Sequence, residues 1–72
     1  MGAIILARSP GDDWRDLSVN HLAELARTYG VLILRGFRPV DRADVDAYAR
    51  RWGGHECALR YDAGDLIIEA AR

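Results

Sequence analysis

The stretch YGVLILRGF, residues 29–37, decides the fold of this chain. Its centre, Val31 to Leu34, contains no polar residue, and such a run is typical of a strand that is covered on both faces of a sheet. Gly30 before the run indicates the end of a helix, and Arg35-Gly36 marks the point where the chain leaves the sheet. We therefore predict a strand buried on both faces, with Arg35 directed outward or paired with an acid at the sheet edge.

The residues before this stretch predict a strand and a helix. Ala3 to Leu6 form a short apolar run that Ser9-Pro10-Gly11 ends, which is the pattern of a strand followed by a turn. Ser18 is a favourable N-cap, and Gly30 is a favourable C′ residue for the helix between them. The predicted apolar face of this helix consists of Leu22, Leu25, Ala26 and Tyr29.

The residues after Phe37 predict a second helix and a last strand. Asp41 is placed to cap this helix with Asp44 at its N3 position, and Gly53-Gly54 ends it. A polar stretch follows at residues 55–65, and Leu66 to Ile68 then predict a short strand. The apolar stripe of the second helix is predicted to contain Val45, Tyr48, Ala49 and Trp52.

The predicted order of elements is strand, helix, strand, helix, strand, which places the chain in the α/β or mixed α+β class. This order permits a small parallel sheet in which each helix is a crossover connection. The glycines do not indicate a nucleotide site, because Gly53-Gly54 closes a helix and neither a GxGxxG nor a Walker pattern is present. A length of 72 residues indicates one small domain or a fragment of a larger one.

The composition argues against several classes of partner. Ten basic residues, all of them arginine, and eleven acidic residues are scattered along the chain and give a net charge of -1. We therefore expect no binding to nucleic acid or to an anionic membrane. One cysteine, and no signal-peptide pattern at the start, predict a reducing, cytoplasmic setting.

Few residues have the chemistry of a catalytic or metal site. His55-Glu56-Cys57 places three potential ligands in a row, but adjacent residues in a strand alternate faces and seldom converge on one metal. We expect His55 and Glu56 to be solvated and Cys57 to pack as a small apolar group. His21 is expected on the surface of the first helix, and Asp12-Asp13 in a solvated loop.

Two segments taken together resemble a known enzyme family. HLAELARTYGVLILRGF, residues 21–37, and DRADVDAYARRWGG, residues 41–54, are similar to the N-terminal part of the TauD/TfdA (taurine dioxygenase-like) family of Fe(II)- and 2-oxoglutarate-dependent oxygenases. Members of that family carry a helix, an hGvvvfRg strand and a helix that ends in an aromatic-glycine pair. The matching residues here are Tyr29-Gly30, Arg35-Gly36, Ala49, Trp52 and Gly53.

The resemblance implies a fold and a chemistry that this chain does not complete. It implies the N-terminal part of a double-stranded β-helix (jelly-roll) oxygenase, with an incomplete barrel, because eight strands need more residues than 72. The family holds iron with a His-x-Asp/Glu pair and a distant His, and neither His21 nor His55 begins such a motif. We therefore expect no catalytic, metal or cofactor ligand within this chain, and Fe(II) and 2-oxoglutarate to be bound only by a full-length protein.

Two functions from different classes follow from the sequence. The first is part of an oxygenase that hydroxylates or desaturates a small molecule, with His55, Arg60 and Tyr61 as the residues to test for substrate contact. These three are implied by the resemblance, in which the loop after the aromatic-glycine pair lies near the substrate, and they can equally be exposed loop residues. The second is a standalone interaction module that dimerises or binds a protein partner through an exposed apolar surface.

Overall fold

Four strands and two α-helices make up the secondary structure of residues 2–71. The structure is a computed structural model, and it describes residues 2–71. The elements, in chain order, are β1 (Gly2–Leu6), a 3₁₀ turn (Trp14–Asp16), α1 (Val19–Tyr29), β2 (Val31–Arg35), α2 (Arg42–Arg50), β3 (Cys57–Asp62) and β4 (Asp65–Ala70).

The helices begin where the capping residues predict. The backbone N–H of His21 donates to the Ser18 hydroxyl at 3.3 Å, which confirms Ser18 as the N-cap of α1. Asp41 is the N-cap of α2, and its own N–H donates to the Asp44 carboxylate at 3.3 Å. These contacts satisfy donors that the first turn of a helix leaves without a partner.

The strands form one sheet in the order β1-β2-β4-β3. β1 and β2 are parallel and are connected through α1, whereas β2 and β4, and also β3 and β4, are antiparallel. The domain is therefore a mixed α/β structure, a four-stranded mixed sheet with two helices. The all-parallel sheet that the element order permitted is wrong, because α2 leads into a β-hairpin and not into a parallel strand.

The polar stretch at residues 55–65 contains a strand that its composition did not indicate. Within β3, Cys57, Leu59 and Tyr61 are partly buried and alternate with exposed Ala58, Arg60 and Asp62. This period of two is the pattern of a half-buried strand. Charged residues on the exposed side obscured that pattern, and the observed order of elements is β-α-β-α-β-β.

The two faces of the sheet differ in burial. The buried cluster combines alternate residues of β2 and β4 with residues from the 3₁₀ turn and both helices: Trp14, Leu22, Ala23, Ala26, Leu32, Leu34, Val45, Tyr48, Trp52, Leu66 and Ile68. On the opposite face, Ile33 is only partly buried, and Ile4 and Leu6 are 53% and 69% exposed. The prediction that β2 is covered on both faces is therefore wrong in this domain, because both helices pack on one side.

The buried faces of the helices also differ from the predicted apolar stripes. Leu22 and Ala26 are buried as predicted. Tyr29, at the end of α1, is 44% exposed, and Ala23, which was not assigned to the apolar face, is fully buried. On α2, Ala49 is exposed. The helix ends at Arg50, two residues before Trp52, which reaches the core from the following turn.

Arg35 and Gly36 end β2 as the sequence indicated. The Arg35 guanidinium lies 3.0 Å from the carboxylate of Asp65 on the neighbouring strand β4, so of the two predicted placements, outward or paired with an acid, the structure shows the pairing. Gly36 has φ +83°, a backbone conformation that favours glycine. Phe37 then turns back and packs against the buried cluster.

The turn between β3 and β4 suggests a stabilising substitution. Ala63 and Gly64 both have positive φ, 52° and 85°, as the central residues of a two-residue hairpin. Positive φ is unfavourable for alanine, and asparagine tolerates it better. We expect Ala63→Asn to raise the free energy of unfolding by about 1 kcal/mol in urea denaturation. Gly64→Ala is the opposite control, and equal stability of the two variants would contradict the assigned turn.

Among residues 2–71, neither helix has the length and apolar character that crossing a membrane requires.

Candidate functional site

A cavity of about 420 Å³ lies between α2 and the edge strand β3. Val45 and Leu59 supply its apolar surface, and Val45 is only 7% exposed. The other residues that line it are Arg42, Asp46, Arg60 and Tyr61. A volume of a few hundred Å³ is within the range of small-molecule sites, and this lining is more polar than most of them, with four polar residues among its six.

The polar residues on α2 lie one helical turn apart. Arg42 and Asp46 are four residues apart, so their side chains lie on the same side of the helix. Both residues are exposed and line the cavity with opposite charges. A ligand that carries both a carboxylate and an amine, or a neutral polar group, would find a partner of the right sign here.

Two of the three candidate residues from the sequence, Arg60 and Tyr61, line this cavity. They are adjacent on β3 and point to opposite faces of the sheet. Arg60 lies 3.5 Å from the Glu69 carboxylate, with both side chains more than half exposed. Tyr61 is partly buried, and its ring centroid is 6.5 Å from that of Trp14. Tyr61 is therefore the candidate that is held in place by the core.

The third candidate, His55, lies elsewhere in the structure. It follows the turn after α2, where its N–H donates to the Trp52 carbonyl at 2.9 Å. Its ring packs edge-on against the Trp52 ring at a centroid distance of 5.9 Å. His55 is not among the residues that line the cavity. The structure therefore brings together Arg60 and Tyr61 but not His55, and substrate contact stays a prediction for all three.

A row of aromatic rings connects the cavity wall to His55. Trp14 packs edge-on against Tyr48 at 4.6 Å, and Tyr48 against Trp52 at 6.2 Å. Burial raises the pKa of the Tyr48 phenol, and the neighbouring Trp52 indole acts in the opposite sense. No hydrogen bond of normal geometry within residues 2–71 reaches the Tyr48 hydroxyl or the indole nitrogens of Trp14 and Trp52. These buried polar atoms lower stability relative to satisfied ones.

An ion-pair network fixes the 3₁₀ turn against α2 and so positions Trp14. The Arg15 guanidinium donates to Asp13 at 2.7 Å and lies 3.5 Å from Asp44 at the start of α2. The Arg51 guanidinium donates to the Arg15 carbonyl at 3.0 Å. The hydrogen bond from Arg15 holds the pKa of Asp13 below its usual range.

The pair Asp12-Asp13 is more structured than the solvated loop that we expected. The Asp12 carboxylate accepts backbone hydrogen bonds from Arg8 at 3.0 Å and Ser9 at 3.2 Å, which closes the turn after β1. The hydrogen bonds from Ser9 lower the pKa of Asp12. Both aspartates are partly buried, and their carboxylates accept hydrogen bonds from nearby backbone N–H groups and, for Asp13, from Arg15. Nothing in this geometry indicates acid-base catalysis.

No three His, Cys, Asp or Glu side chains within residues 2–71 come close enough together to hold a metal ion. Cys57 packs against the core as a small apolar group, as predicted, and burial raises the pKa of its thiol. A raised pKa leaves less of the thiolate that binds metals or attacks electrophiles. Glu56 is exposed and His55 is partly buried against Trp52.

Four of the cavity residues were not predicted from the sequence. Val45 was assigned to the apolar stripe of the second helix, Arg42 and Asp46 lie on that helix outside the predicted stripe, and Leu59 lies within the stretch 55–65 that was predicted to be polar. The alternation in β3 could have identified Leu59 and Tyr61 as inward residues. Nothing local in the sequence indicates that α2 lies beside β3, because that contact depends on the hairpin bringing β3 to the edge of the sheet.

The chain is similar in sequence to a named enzyme. It is 33% identical over 52 residues to a 3-((Z)-2-isocyanoethenyl)-1H-indole synthase of Fischerella ambigua (strain UTEX 1903). The matched residues make up 72% of this chain but 19% of that synthase, so the chain spans about a fifth of the relative's length. No protein-family model matches the chain. No solved structure is detectably similar to it.

Proposed function

We propose that this chain is the N-terminal part of an Fe(II)- and 2-oxoglutarate-dependent oxygenase of the TauD/TfdA type that hydroxylates or desaturates a small molecule. The observation that carries the proposal is the 33% identity, over 72% of the chain, to an enzyme whose name describes small-molecule synthesis. The order of capped helix, Gly30, apolar strand, Arg35-Gly36 and second capped helix supports it, and all of these features are present in the fold.

The name of the relative also bears on the reaction. Its product carries an ethenyl group on an indole, and a carbon–carbon double bond is what a desaturation leaves. The amphipathic cavity beside α2 is compatible with an aromatic substrate that bears one polar group. We propose an aromatic, amino-acid-derived small molecule as the substrate class, with Tyr61 against its ring and Arg42 or Asp46 at its polar end.

The residues described do not fit an iron site, because they bring no three suitable ligands together. The proposal therefore assigns Fe(II) and 2-oxoglutarate to residues outside this chain. What residues 2–71 supply is a scaffold and one wall of a substrate site. Their aromatic row and ion pairs hold Tyr61 and α2 in fixed positions, and a pre-formed wall of this kind lowers the entropic cost of orienting a substrate.

The proposal is tested first on the gene and then on the enzyme. Genomic DNA on the 3′ side of the Arg72 codon should continue in frame and encode a His-x-Asp/Glu pair and a later His. The corresponding protein should convert 2-oxoglutarate to succinate in the presence of Fe(II), dioxygen and indole-containing substrates. A stop codon at this point, or a continuation without those ligands, would overturn the proposal.

In that longer protein, Tyr61→Ala should raise KM for the small molecule by about tenfold, which corresponds to about 1.4 kcal/mol of lost binding. The matched control is Tyr29→Ala, because Tyr29 is exposed at the end of α1 and does not line the cavity. Circular dichroism should show that both variants are folded. An equal effect of the two substitutions would remove Tyr61 from the substrate site and leave the oxygenase assignment standing.

A second candidate function is an interaction module that dimerises or binds a protein partner. The observation that favours it is the open face of the sheet, where Ile4 and Leu6 are largely exposed and no helix packs within residues 2–71. A gene that ends at Arg72 with no ligand-bearing continuation would favour this candidate over the oxygenase.

A further inference from the structure

The two edges of the sheet differ in how well they are protected from pairing with another strand. β1 and β3 are the edge strands, and an edge strand exposes backbone N–H and C=O groups to any strand that can approach it. Natural edges are usually protected by charged residues, prolines or bulges. β3 carries charged Arg60 and Asp62 on its exposed side, whereas β1 has the sequence Gly-Ala-Ile-Ile-Leu and carries none of these features.

The ladder between β1 and β2 shows which backbone groups of β1 are free. The N–H of Ala7 donates to the Arg35 carbonyl at 2.9 Å, so Ala7 directs its backbone groups toward β2. Backbone direction alternates along a strand, so Ala3 and Ile5 also bond to β2. Gly2, Ile4 and Leu6 then direct their N–H and C=O groups away from the sheet.

These free groups are arranged so that β1 can pair with a copy of itself. In an antiparallel pair centred on Ile4, each Ile4 lies opposite Ile4 of a second chain, and Gly2 lies opposite Leu6. Residues 2, 4 and 6 are the ones with outward backbone groups, so this register forms about six hydrogen bonds. Every opposed pair of residues is apolar, so no like charges are brought together. The open face of one sheet then adjoins the open face of the other, and the two helix-covered faces also lie on one side.

The helices leave room for such a neighbour. α1 packs mainly against β2 and β4, in the middle of the sheet, and α2 packs against β3 at the opposite edge. A twofold axis beside β1 therefore brings two β1 strands together while both helices of each chain lie away from the junction. The exposed Ile4 and Leu6 of both chains then form one apolar band on the open face of an eight-stranded sheet.

We propose that the free edge of β1 is a self-association site, at which a second copy of this chain pairs antiparallel about Ile4. Twofold pairing through β1 also explains why β3 carries charged residues that protect its edge and β1 does not. Once two β1 edges are joined, the remaining edges of the dimer are the two charged β3 strands, so the assembly does not extend further. This proposal rests on β1 and does not depend on the oxygenase assignment.

Site-specific cross-linking tests the predicted register. In a Cys57→Ser background, Ile4→Cys should give a disulfide-linked dimer under mild oxidation, since opposed residues in a hydrogen-bonded antiparallel pair have Cα atoms about 5.5 Å apart. Ala58→Cys is the matched control, because Ala58 is exposed on the other edge strand. We expect cross-linking at position 4 to be at least about tenfold faster than at position 58. Equal rates would overturn the proposal.

Two substitutions separate edge pairing from other forms of association. Ile4→Lys adds a charge to the edge, and Ile4→Pro removes an N–H that points away from β2, which edge positions tolerate. Both variants should sediment as monomers with an unchanged circular dichroism spectrum, while the unmodified chain sediments as a dimer at the same concentration. An unmodified chain that stays monomeric at about millimolar concentration, or dimers that persist in both variants, would contradict pairing through β1.

Discussion

Replacing Trp14 with alanine is expected to remove a large fraction of the domain's free energy of unfolding at 25 °C. Trp14 is 1% exposed and contacts Tyr48 at a ring-centroid distance of 4.6 Å, so its removal leaves a large cavity where the 3₁₀ turn meets α2. Truncating a buried tryptophan costs about 3–5 kcal/mol. A domain of 72 residues has a total stability of only about 4–11 kcal/mol, so this loss is a large fraction of the total.

Urea denaturation followed by circular dichroism measures this loss directly. Trp14→Phe is the graded control, because it keeps one aromatic ring in the same place and should lose less than half as much stability. A loss below about 1 kcal/mol for Trp14→Ala would be contrary to the observed packing. It would mean that the loop at residues 7–18 does not close over the core in solution.

Replacing Leu34 with alanine is expected to cost about 2–5 kcal/mol, whereas the same change at the adjacent Ile33 should cost about 1 kcal/mol. The two residues are neighbours on the central strand β2 and have side chains of the same volume. Leu34 is fully buried under the helices, and Ile33 lies on the open face and is only partly buried. The ratio of the two losses therefore measures how differently the two faces are covered.

The pair also distinguishes the isolated domain from a longer protein. In the purified 72-residue chain, the loss at Ile33 should stay well below the loss at Leu34 in thermal and urea denaturation. Equal losses in this chain would show that something covers the open face, as a strand buried on both sides requires. If the chain is part of a larger oxygenase domain, the loss at Ile33 should rise in the longer protein and remain small in the fragment.

Local chemistry in the sequence predicted the starts of both helices and the ends of α1 and β2, whereas α2 ends at Arg50 and not at the predicted Gly53-Gly54. Ser18 and Asp41 cap helices because their side chains, or the residue three positions later, satisfy donors of the first turn. Glycine occupies positions 30 and 36 because the backbone there has a positive φ that other residues seldom adopt. These features depend on residues within one turn of each other, so a single sequence is enough to predict them.

The strand β3 was missed for a reason that is also local. Its outward residues Arg60 and Asp62 give residues 55–65 a polar average, and the alternation beneath that average spans only three inward side chains. The hairpin turn at Ala63-Gly64 lacks the asparagine or aspartate that usually indicates one. The missing strand then led to the wrong strand order, because a parallel sheet has no place for a hairpin.

The candidate site depended almost entirely on tertiary structure. Arg60 and Tyr61 were identified through a resemblance, and the fold places both beside α2. Arg42 and Asp46 became candidates only when the cavity was seen, because nothing in a helical pattern specifies which strand a helix will pack against. His55 is close to Tyr61 in sequence, yet the turn after α2 directs it to Trp52 instead.

The sequence by itself determined the N-caps of both helices, the apolar strand β2 and the glycines that end α1 and β2, because each follows from the stereochemistry of a few adjacent residues. Only the tertiary structure decided that both helices lie on one face, that β4 runs antiparallel to β2 and that a cavity opens beside β3. These properties depend on contacts between residues far apart in the chain. The physical reason is that burial is shared among elements, and an apolar strand such as Val31 to Leu34 does not specify which of its faces the helices will cover.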